Sequence, residues 1–439
     1  EAWGSLFDAT RNLEREMRQA EVRFTSTLDG PIQFAVGGAY FENELEFRGI
    51  SYLGFIEMLG VTGRNSLPGA GFATQDGEAI GLYGEVYYDL SDRLKLTAGV
   101  RYSKEEKEFT RGNNAFLTPA ELGVWKESGG DHTVIDLLPA DRYAFTYEGD
   151  DEWDDTTFRV VLDWEIDDNQ FAYFSFNQGF RSGSFVESCA SVATCSSPFD
   201  QESADSFEIG YKADLMDNTL RLNAALFYTE YEDVVRSQVV PIIDPQGNPG
   251  QETQFRNIAG AENQGLELEV TWLATSQLQF GLTAAWLDAE YTEFLTNVDG
   301  GSGVANKPQC LNVDALGNDD ASCLGIEPNF APEWQLGVSA RYEWFLANGY
   351  SLSARGFVHA QPEYEYSVFN SDFTQAQKRT LVDASITLAD PDDRWQLVVY
   401  GKNITGEVYR VAGNSVGGLW NFSAYGPRER YGAELTVYF

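Results

Sequence analysis

The chain has 439 residues, 43% of them hydrophobic and 14% aromatic, which is enough apolar material for a large core. Acidic residues outnumber basic ones 68 to 30, which gives a formal net charge of −38. This charge excludes a general nucleic-acid binder, because affinity for phosphates requires clustered Lys and Arg.

The start of the chain, Glu1-Ala2-Trp3-Gly4-Ser5, lacks an initiator Met and the basic and apolar regions of a signal peptide. We therefore expect a mature protein or a fragment. No stretch approaches the roughly 18 consecutive apolar residues of a transmembrane helix. A membrane location stays open, because the strands of a transmembrane barrel carry only a weak, alternating signal.

Period-two alternation over segments of about ten residues dominates the chain and predicts β-strands. Leu94–Tyr102 has apolar residues at even positions and includes Lys95 and Arg101 at odd positions. Leu220–Tyr228 and Gly265–Trp272 repeat this pattern. Weaker examples are Trp334–Tyr342, Tyr350–Val358 and Thr380–Leu388. We predict about fifteen strands and no amphipathic helix of any length.

The connections between these strands alternate between short and long. Asp, Asn, Gly and Pro suit tight turns because they tolerate or pre-set the required φ values. Short turns are predicted at Asp29–Pro31, Asp89–Asp92, Asp167–Asn169, Met216–Asn218, Ala274–Ser276, Ala347–Gly349 and Asp390–Asp393. Long polar loops are predicted at 47–76, 109–154, 182–201, 232–258, 296–331, 363–374 and 406–428. This alternation is typical of an outer-membrane barrel, with short periplasmic turns and long external loops.

Soluble antiparallel sandwiches and β-helices also show alternation, and the distribution of charge separates them from a membrane barrel. The apolar faces are nearly free of charge. The opposite faces carry Lys95, Arg101, Glu208, Lys212, Arg221, Glu267, Glu269, Arg341, Arg355, Asp383, Lys402 and Glu434. A soluble barrel of about fifteen strands would enclose more room than apolar side chains can fill. The fold class is therefore all-β, a transmembrane antiparallel β-barrel of outer-membrane type.

This fold predicts the orientation of individual side chains, since lipid does not solvate charge. We expect one set to face lipid, namely Leu96, Leu222, Leu268, Val338 and Leu435. We expect the other set to face the interior, namely Arg101, Arg221, Glu269, Arg341 and Glu434.

The last strand, Arg430–Phe439, ends on an aromatic residue that is in phase with its apolar face. That face consists of Tyr431, Ala433, Leu435, Val437 and Phe439. The segment resembles the terminal strand of bacterial outer-membrane proteins. The resemblance implies that Tyr431, Leu435, Val437 and Phe439 form the signal that the barrel-assembly machinery reads.

A series of motifs in chain order resembles TonB-dependent receptors. The series consists of Phe171–Phe174 leading to Gly179-Phe180-Arg181-Ser182-Gly183, Phe207–Lys212 with Leu220–Tyr228, Asn257-Ile258-Ala259-Gly260-Ala261 with Gly265–Glu269, Ala331–Trp334, Tyr400–Thr405 and Gly426–Arg428. Each motif alone is weak, and the ordered set is strong. With the terminal strand, the resemblance covers most of the chain from Thr157 onward.

In the family that it resembles, a barrel of 22 strands encloses an N-terminal plug with a short TonB-contacting segment. The resemblance implies that residues 1–439 form a single, partial β-barrel domain, about the eighth to the twenty-second strands, without a plug. We therefore expect a truncated chain. Its sheet should stay open between the segment near Ala20–Leu28 and the terminal strand Arg430–Phe439.

Signals for an enzyme are poor. The two histidines, His132 and His359, lie far apart in the sequence, and no Ser-His-Asp or Cys-His set is evident. The cysteines lack the tight pairs of a zinc site. Two disulfides within external loops, Cys189–Cys195 and Cys310–Cys323, fit an oxidising compartment. We predict no catalytic activity and no cofactor.

Four residues are candidates for ligand binding. Arg181, beside Phe180 at a strand mouth, could meet an anionic substrate or pair with carboxylates of the lumen. Trp420 and Tyr425 could contact a ligand or anchor the barrel at the membrane interface. The acidic run Asp150–Asp155 could bind calcium, although a solvated loop is the favoured interpretation.

The leading functional hypothesis is import, as the resemblance implies. A scarce nutrient such as a ferric siderophore would bind external loops and lumen, and TonB would supply energy through an N-terminal segment. The acidic loops favour a cationic or metal-bearing ligand. The alternatives are a passive porin-like channel and a surface adhesion or assembly module. The predicted partners are this ligand, TonB, the assembly machinery and outer-membrane lipid, with no nucleic acid.

Overall fold

In a computed structural model, the chain is described except for residues 1–7, 53–68, 128–134, 136–137, 188, 190, 244–248, 298–319, 323, 325, 368–373, 393, 417–419 and 439. Strands dominate the described residues, and the helices are short. Helix α1 spans Pro119–Glu127, helix α2 spans Val192–Cys195, and a single 3-10 turn spans Ala140–Arg142. No described helix has the length and hydropathy needed to cross a bilayer.

The strands follow one another along the chain in a simple order. They are β1 (Asp8–Thr25), β2 (Ile32–Tyr52), β3 (Gly69–Ser91), β4 (Leu94–Phe116), β5 (Phe145–Asp167), β6 (Gln170–Arg181), β7 (Glu202–Leu215), β8 (Leu220–Ile243), β9 (Pro249–Leu273), β10 (Leu278–Asn297), β11 (Asp320–Ser322), β12 (Trp334–Phe345), β13 (Ser351–Gln361), β14 (Tyr364–Glu365), β15 (Gln375–Ala376), β16 (Arg379–Ala389), β17 (Trp395–Lys402), β18 (Arg410–Val416), β19 (Trp420–Tyr425) and β20 (Arg430–Val437).

Fifteen of these strands form one antiparallel wall in the order β1 to β10, β12, β13, β16, β17 and β20. Strand β11 pairs with β10, while β14–β15 and β18–β19 form two separate ribbons. Within the described residues, β1 and β20 are the two ends of the wall and do not pair with each other. The predicted unclosed sheet of about fifteen antiparallel strands is therefore confirmed.

Tight turns join the strands at one end of the wall, as the sequence predicts. Between β7 and β8, three consecutive residues adopt positive φ: Met216 (53°), Asp217 (59°) and Asn218 (65°). Asn and Asp tolerate this left-handed conformation better than other non-glycine residues, although Met does not share that tolerance. Gly349, with φ of 87°, occupies the turn between β12 and β13.

The strand register sorts the side chains onto two faces. One cross-strand row contains only apolar residues: Leu162, Phe174, Ile209, Leu226, Leu266, Trp286 and Trp334. Ile209 is 58% exposed and Leu226 is 57% exposed. By register and alternation, all five residues predicted to face lipid share this face, and the five charged ones lie on the other. An extended row of exposed large apolar side chains suits contact with lipid.

Side chains converge on the charged face, which identifies it as the inside of the curved wall. The hydroxyl of Tyr83 on β3 donates to Glu21 on β1, across β2. Arg159 on β5 reaches over β4 to Glu85 on β3, with 3.1 Å between Nη1 and Oε1. Contacts between strands two apart require side chains to lean toward a common centre. The charged face therefore lines the lumen.

Several strands extend far beyond the membrane, where the sequence analysis placed loops. Strands β3, β4 and β5 have 23 residues each, about twice the 9–11 that cross a bilayer. The predicted loops 47–76 and 109–154 are therefore partly wrong, because β2 continues to Tyr52 and β5 begins at Phe145. The predicted loop 232–258 is partly wrong for the same reason, because β8 continues to Ile243 and β9 begins at Pro249. On these extensions the outward face also carries charge, as in the 2.8 Å ion pair of Lys104 with Glu152.

Above the membrane, the pairing of neighbouring strands is interrupted between β5 and β8. Strand β5 pairs with β6 only from Arg159 to Asp167, so its upper part, Phe145–Phe158, lacks a partner on that side among the described residues. Strand β8 pairs with β7 only up to Glu232, but it continues along β9 to Ile243. The shorter β6–β7 hairpin lies between them. We call this opening the rim notch.

The segments that follow β4 and β6 pack on opposite faces of the wall. The outer loop, residues 117–144, covers an apolar cluster made of Ile50, Ala70, Phe72, Ala115, Leu117, Trp125, Ile135, Leu138 and Tyr143. The inner loop, residues 182–201, covers another made of Ala73, Phe109, Phe145, Trp153, Phe185, Val186, Cys189 and Cys195. The inner loop therefore lies at the lumen side of the rim notch.

Candidate functional site at the external rim

The inner loop is a compact element with its own internal links. Cys189 and Cys195 form a disulfide, one of the two pairings that the sequence predicts. Ser191 caps helix α2, because its side chain accepts a hydrogen bond from the Thr194 amide. Ser184 and Phe199 form an isolated antiparallel bridge that closes the loop at its base. Cys310 and Cys323, the second predicted pair, lie outside the described residues.

A buried lysine fastens the inner loop to the wall. The ammonium of Lys107 on β4 donates to the carbonyl of Gly183 at 2.6 Å and to the hydroxyl of Ser182 at 2.9 Å. It also lies 3.0 Å from Glu105 and 5.3 Å from the centre of the Trp153 ring. Burial lowers the pKa of Lys107, because a desolvated ammonium loses hydration. The hydrogen bonds and the facing ring offset part of that cost.

Aromatic stacking completes this side of the loop. Phe185 stacks on Phe109 of β4 with ring centres 5.1 Å apart and lies edge-on to Trp153 of β5 at 6.5 Å. Trp153 is only 5% exposed. Such rings contribute both buried area and a preferred geometry. The inner loop therefore packs against β4 and β5 through a buried aromatic cluster.

The opposite side of the inner loop meets β8 and β9. Asn257 on β9 donates to the carbonyl of Asp233 at 2.6 Å and to that of Asp200 at 3.1 Å, and its side-chain oxygen accepts from the Asp200 amide at 2.7 Å. Glu202 accepts from the Val235 amide on β8. The inner loop thus bridges the rim notch from β4–β5 to β8–β9.

A cavity of about 920 Å³ lies in the rim notch, between the inner loop and the two strand edges. We call it the rim cavity. Its volume lies in the range of small-molecule sites, about 300–1,000 Å³. Phe199 and Phe255 line it together as a tilted pair with ring centres 6.4 Å apart. Its charged lining residues are Glu152, Asp154, Asp200, Asp233 and Arg256. Carboxylates outnumber the single guanidinium, which favours a ligand that is not strongly anionic.

The first two predicted ligand-binding residues lie beside this cavity and not in its lining. Arg181 ends β6 and pairs with Glu202 at 2.8 Å. Phe180 packs against the apolar cluster under the inner loop. The structure thus places Arg181 in an ion pair with a lumen-side carboxylate, which is one of the two roles that the sequence allows. A contact with ligand remains a prediction for both residues.

The other two lie on a different part of the rim. Trp420 and Tyr425 are the ends of β19, in the ribbon with β18. Tyr425 is exposed, and the side chain of Trp420 lies outside the described part. This ribbon is linked to the β14–β15 ribbon by a 2.7 Å hydrogen bond from the Tyr366 hydroxyl to the Arg410 carbonyl. The roles of Trp420 and Tyr425 remain predictions.

The proposed assembly signal lies on the last strand of the wall. Tyr431, Leu435 and Val437 are exposed on one face of β20, and Phe439 lies outside the described residues. Strand β20 pairs with β17 through eight residues, from Arg430 to Val437. Recognition of this strand by the assembly machinery remains a prediction.

Metal-binding geometry is not present in the described part of the chain, where no three His, Cys, Asp or Glu side chains are grouped to hold an ion. The acidic run Asp150–Asp155 lies within β5 and not in a loop, so its side chains alternate between the two faces. Such alternation separates the neighbouring carboxylates that a calcium site would need together. His359 lies on the lumen face of β13, and His132 is outside the described residues.

Sequence reasoning missed most residues that build the rim cavity. Lys107, Phe199 and Phe255 carry no local pattern that separates them from ordinary strand or loop residues. Asn257 begins one of the motifs that the sequence shares with a known family, and Glu152, Trp153 and Asp154 belong to the acidic run Asp150–Asp155.

Comparison with known proteins identifies the family to which this strand wall belongs. Residues 3–404 match the family model described as "TonB dependent receptor-like, beta-barrel". The chain is 23% identical over 262 residues to the "Probable TonB-dependent siderophore receptor PiuA" of Acinetobacter baumannii, a match that covers 57% of this chain and 33% of that protein. It is 33% identical over 112 residues to the "Metal-pseudopaline receptor CntO" of Pseudomonas aeruginosa, covering 25% of this chain and 14% of that protein.

The fold is shared with solved structures. The ferric yersiniabactin uptake receptor FyuA from Yersinia pestis superposes with a TM-score of 0.73 at 15% identity, over 99% of this chain and 56% of that chain. The chain thus spans about half of that structure and a third or less of the two sequence relatives. Members of this family are receptors and transporters rather than enzymes. Because the family model matches most of its length, the chain belongs to the TonB-dependent receptors and forms a wall of their outer-membrane β-barrel.

Proposed function

We propose that this protein is an outer-membrane receptor that takes up a scarce nutrient as a metal chelate, such as a ferric siderophore. The observation that carries the proposal is the rim cavity, a ligand-sized space of about 920 Å³ at the external end of a TonB-dependent receptor wall. The paired rings of Phe199 and Phe255 in its lining can contact the organic part of a chelate. No covalent chemistry is part of this proposal.

The names of the relatives support a metal-bearing ligand. PiuA is described as a siderophore receptor, CntO as a metal-pseudopaline receptor and FyuA as a ferric yersiniabactin uptake receptor. A further structure with the same fold is described as a copper transporter, OprC. The carboxylate-rich lining of the rim cavity adds a preference to this proposal: neutral and cationic chelates should bind better than highly anionic ones.

The partners follow from the same proposal. TonB would supply energy through an N-terminal segment of the complete receptor. The barrel-assembly machinery would recognise the terminal strand through Tyr431, Leu435, Val437 and Phe439. Outer-membrane lipid would surround the exposed apolar row of the wall.

Uptake in a strain that lacks this receptor tests the proposal. Full-length receptor is restored on a plasmid, with TonB present or deleted, and radiolabelled iron is supplied on neutral, cationic and anionic chelators. We expect accumulation of at least one chelate that needs both the receptor and TonB. Accumulation that persists without TonB would instead identify a passive channel. No receptor-dependent accumulation of any chelate would remove the import proposal.

Rim variants connect this activity to the cavity. Replacing both rings, Phe199→Ala with Phe255→Ala, should weaken chelate binding by about tenfold or more, since a Phe side chain that a ligand fully covers contributes about 1.5–3 kcal/mol. Phe345→Ala is the matched control, because Phe345 is an exposed Phe at the opposite, short-turn end of the wall. Equal binding by the double variant and the control would place the ligand elsewhere.

A further inference from the structure

Both the oxygen and the nitrogen of the Asn257 side-chain amide form hydrogen bonds, and these connect the inner loop to β8 and β9. The oxygen accepts from the Asp200 amide at 2.7 Å. The nitrogen faces three carbonyls, those of Asp233 at 2.6 Å, Asp200 at 3.1 Å and Gln201 at 3.3 Å. Asp200 and Gln201 end the inner loop, whereas Asp233 belongs to β8. One amide on β9 thus holds the end of the inner loop and the neighbouring strand at once.

The backbone of β8 is bent toward this amide. The register of β8 and β9 shifts between Tyr231 and Val234 and again between Val234 and Val235. Within this bulge, Asp233 has a φ of 54°, a left-handed conformation that is uncommon for a residue other than glycine. A strained backbone persists where the surrounding contacts hold it. The 2.6 Å hydrogen bond from Asn257 to the Asp233 carbonyl is such a contact.

A second hydrogen bond joins the end of the inner loop to β8. Glu202, the residue after the inner loop, accepts from the Val235 amide with one carboxylate oxygen and from Arg181 at 2.8 Å with the other. The bulge in β8 is therefore linked to the segment Asp200–Glu202 twice: the Val235 amide donates to Glu202, and Asn257 bonds both the Asp233 carbonyl and Asp200. This arrangement fixes where the inner loop ends relative to β8.

The position of the segment Asp200–Glu202 sets the distance between two rings that line the rim cavity. Phe199, on the loop side, immediately precedes Asp200, while Phe255, on the strand side, lies two residues before Asn257. Their ring centres are 6.4 Å apart. A shift of the loop end away from β9 would separate these two rings and break up the aromatic pair that lines the cavity.

We propose that Asn257 is a positioning residue, which fixes the end of the inner loop against β8 and β9 and thereby sets the shape of the rim cavity. The inference rests on the proposed function for its effect on ligand affinity, but the positioning itself does not depend on the identity of the ligand. Asn257 does not need to touch the ligand for this role.

Hydrogen exchange on the full-length receptor tests the positioning. Asn257→Ala removes every hydrogen bond of the amide, and Asn257→Asp keeps the acceptor at the Asp200 amide but places a carboxylate against three carbonyls. We expect exchange in peptides spanning 196–203 and 232–236 to accelerate about tenfold or more in Asn257→Ala, since a lost hydrogen bond to a buried group costs of the order of one factor of ten. Asn257→Asp should accelerate exchange at 232–236 to a similar extent.

Gln254 supplies the matched controls. It lines the same cavity, but its side chain makes no hydrogen bond within the described part of the chain. Gln254→Ala should leave exchange at both peptides unchanged, and Gln254→Glu adds the charge of Asn257→Asp without breaking these links. Thermal unfolding of the barrel should be the same in all four variants, which separates local positioning from a general loss of fold.

Affinity for the chelate identified by the uptake experiment completes the test. We expect binding to weaken about tenfold in both Asn257 variants, in line with their faster exchange. Phe345→Ala, at the opposite end of the wall and outside the cavity lining, should change affinity less than twofold. Unchanged exchange in Asn257→Ala overturns the proposal. Accelerated exchange with unchanged affinity also overturns it, because the loop end would then not shape the site. If the unaltered receptor binds no chelate, the import proposal fails, and the exchange result still decides whether Asn257 positions the loop.

Discussion

The outer and inner loops follow β4 and β6 at the same rim, and yet they pack on opposite faces of the wall. The difference is visible at two consecutive residues of β3. Phe72 lies against Tyr143 of the outer loop, with ring centres 5.3 Å apart, whereas Ala73 is buried under the inner loop. Because side chains alternate along a strand, adjacent residues serve opposite faces. A single strand thus supports one loop outside the barrel and another inside it.

The two loops are also held by different chemistry. The outer loop relies on a bidentate ion pair between Glu121 and Arg142, at 3.0 and 3.1 Å, which is partly exposed to water. The inner loop relies on a disulfide and the buried ammonium of Lys107. Solvent weakens an exposed ion pair, whereas a covalent link and a desolvated hydrogen bond do not depend on it. The loop beside the candidate ligand site is therefore the more firmly held of the two.

The largest expected effect comes from replacing the tryptophan in the apolar cluster under each loop. Trp153→Ala should destabilise the inner loop by about 3–5 kcal/mol, because it empties a site that is almost fully buried. Trp125→Ala should do the same to the outer loop. Native-state hydrogen exchange separates the two, since the Ser184 and Phe199 amides report on the inner loop and the Ala144 amide on the outer loop. If either variant loosened both loops equally, the two clusters would be one cooperative unit.

The next effect is removal of the disulfide. Replacing both cysteines, Cys189→Ser with Cys195→Ser, should destabilise the inner loop by roughly 2 kcal/mol, because the open chain gains conformational freedom. Limited proteolysis of the intact receptor measures this change as faster cleavage within 182–201. A reducing agent should reproduce it in the unaltered protein and have no further effect on the double variant. Cleavage within 117–144 should stay constant throughout.

A smaller effect is expected at Lys107. Lys107→Met leaves the Gly183 carbonyl and the Ser182 hydroxyl without their donor, at a cost of about 1–3 kcal/mol to the inner loop. Lys104→Met is the matched control on the same strand. Lys104 lies on the opposite, exposed face, where its ion pairs contribute about 0–1 kcal/mol. Exchange of the Ser184 amide checks both, and an equal response would show that burial of Lys107 is not what holds the loop.

The smallest effect concerns the pH dependence of the outer loop. The hydrogen bonds from Arg142 lower the pKa of Glu121 from 4.5 to about 2. Because the folded pKa lies below the unfolded one, this pair stabilises the loop above pH 4.5, and the contribution is lost as the pH falls toward about 2. Its size should stay within about 1 kcal/mol, since the pair is partly exposed.

Pepsin, which cleaves at acid pH, can measure that loss. Cleavage within 117–144 should increase between pH 4.5 and about 2 in the unaltered protein, relative to an unstructured peptide of the same sequence. Glu121→Gln should already be cleaved faster at pH 4.5 and should show no such increase. Cleavage of the inner loop should not follow this titration.

The open edge followed from the family resemblance, whereas the sequence by itself determined the two faces of the wall, its antiparallel order and its strand count of about fifteen. These features follow from local rules, because alternation within a strand and tight turns between strands need only neighbouring residues. Family motifs and the Cys189–Cys195 pair were also visible, since each lies within one short segment. Of the candidate site, Asn257, the acidic run Asp150–Asp155 and the residues near Arg181 were marked in this way.

The tertiary structure alone decided how far the strands extend beyond the membrane and on which face of the wall each loop packs. Above the membrane both faces of a strand meet water, so hydrophobic alternation ends although the hydrogen-bonded ladder continues, and Asp150–Asp155 is read as a loop. Lys107 reaches Gly183 across 76 residues of sequence, and Asn257 reaches Asp200 across 57. No local pattern encodes such partners, because their proximity depends on the order and register of every strand between them.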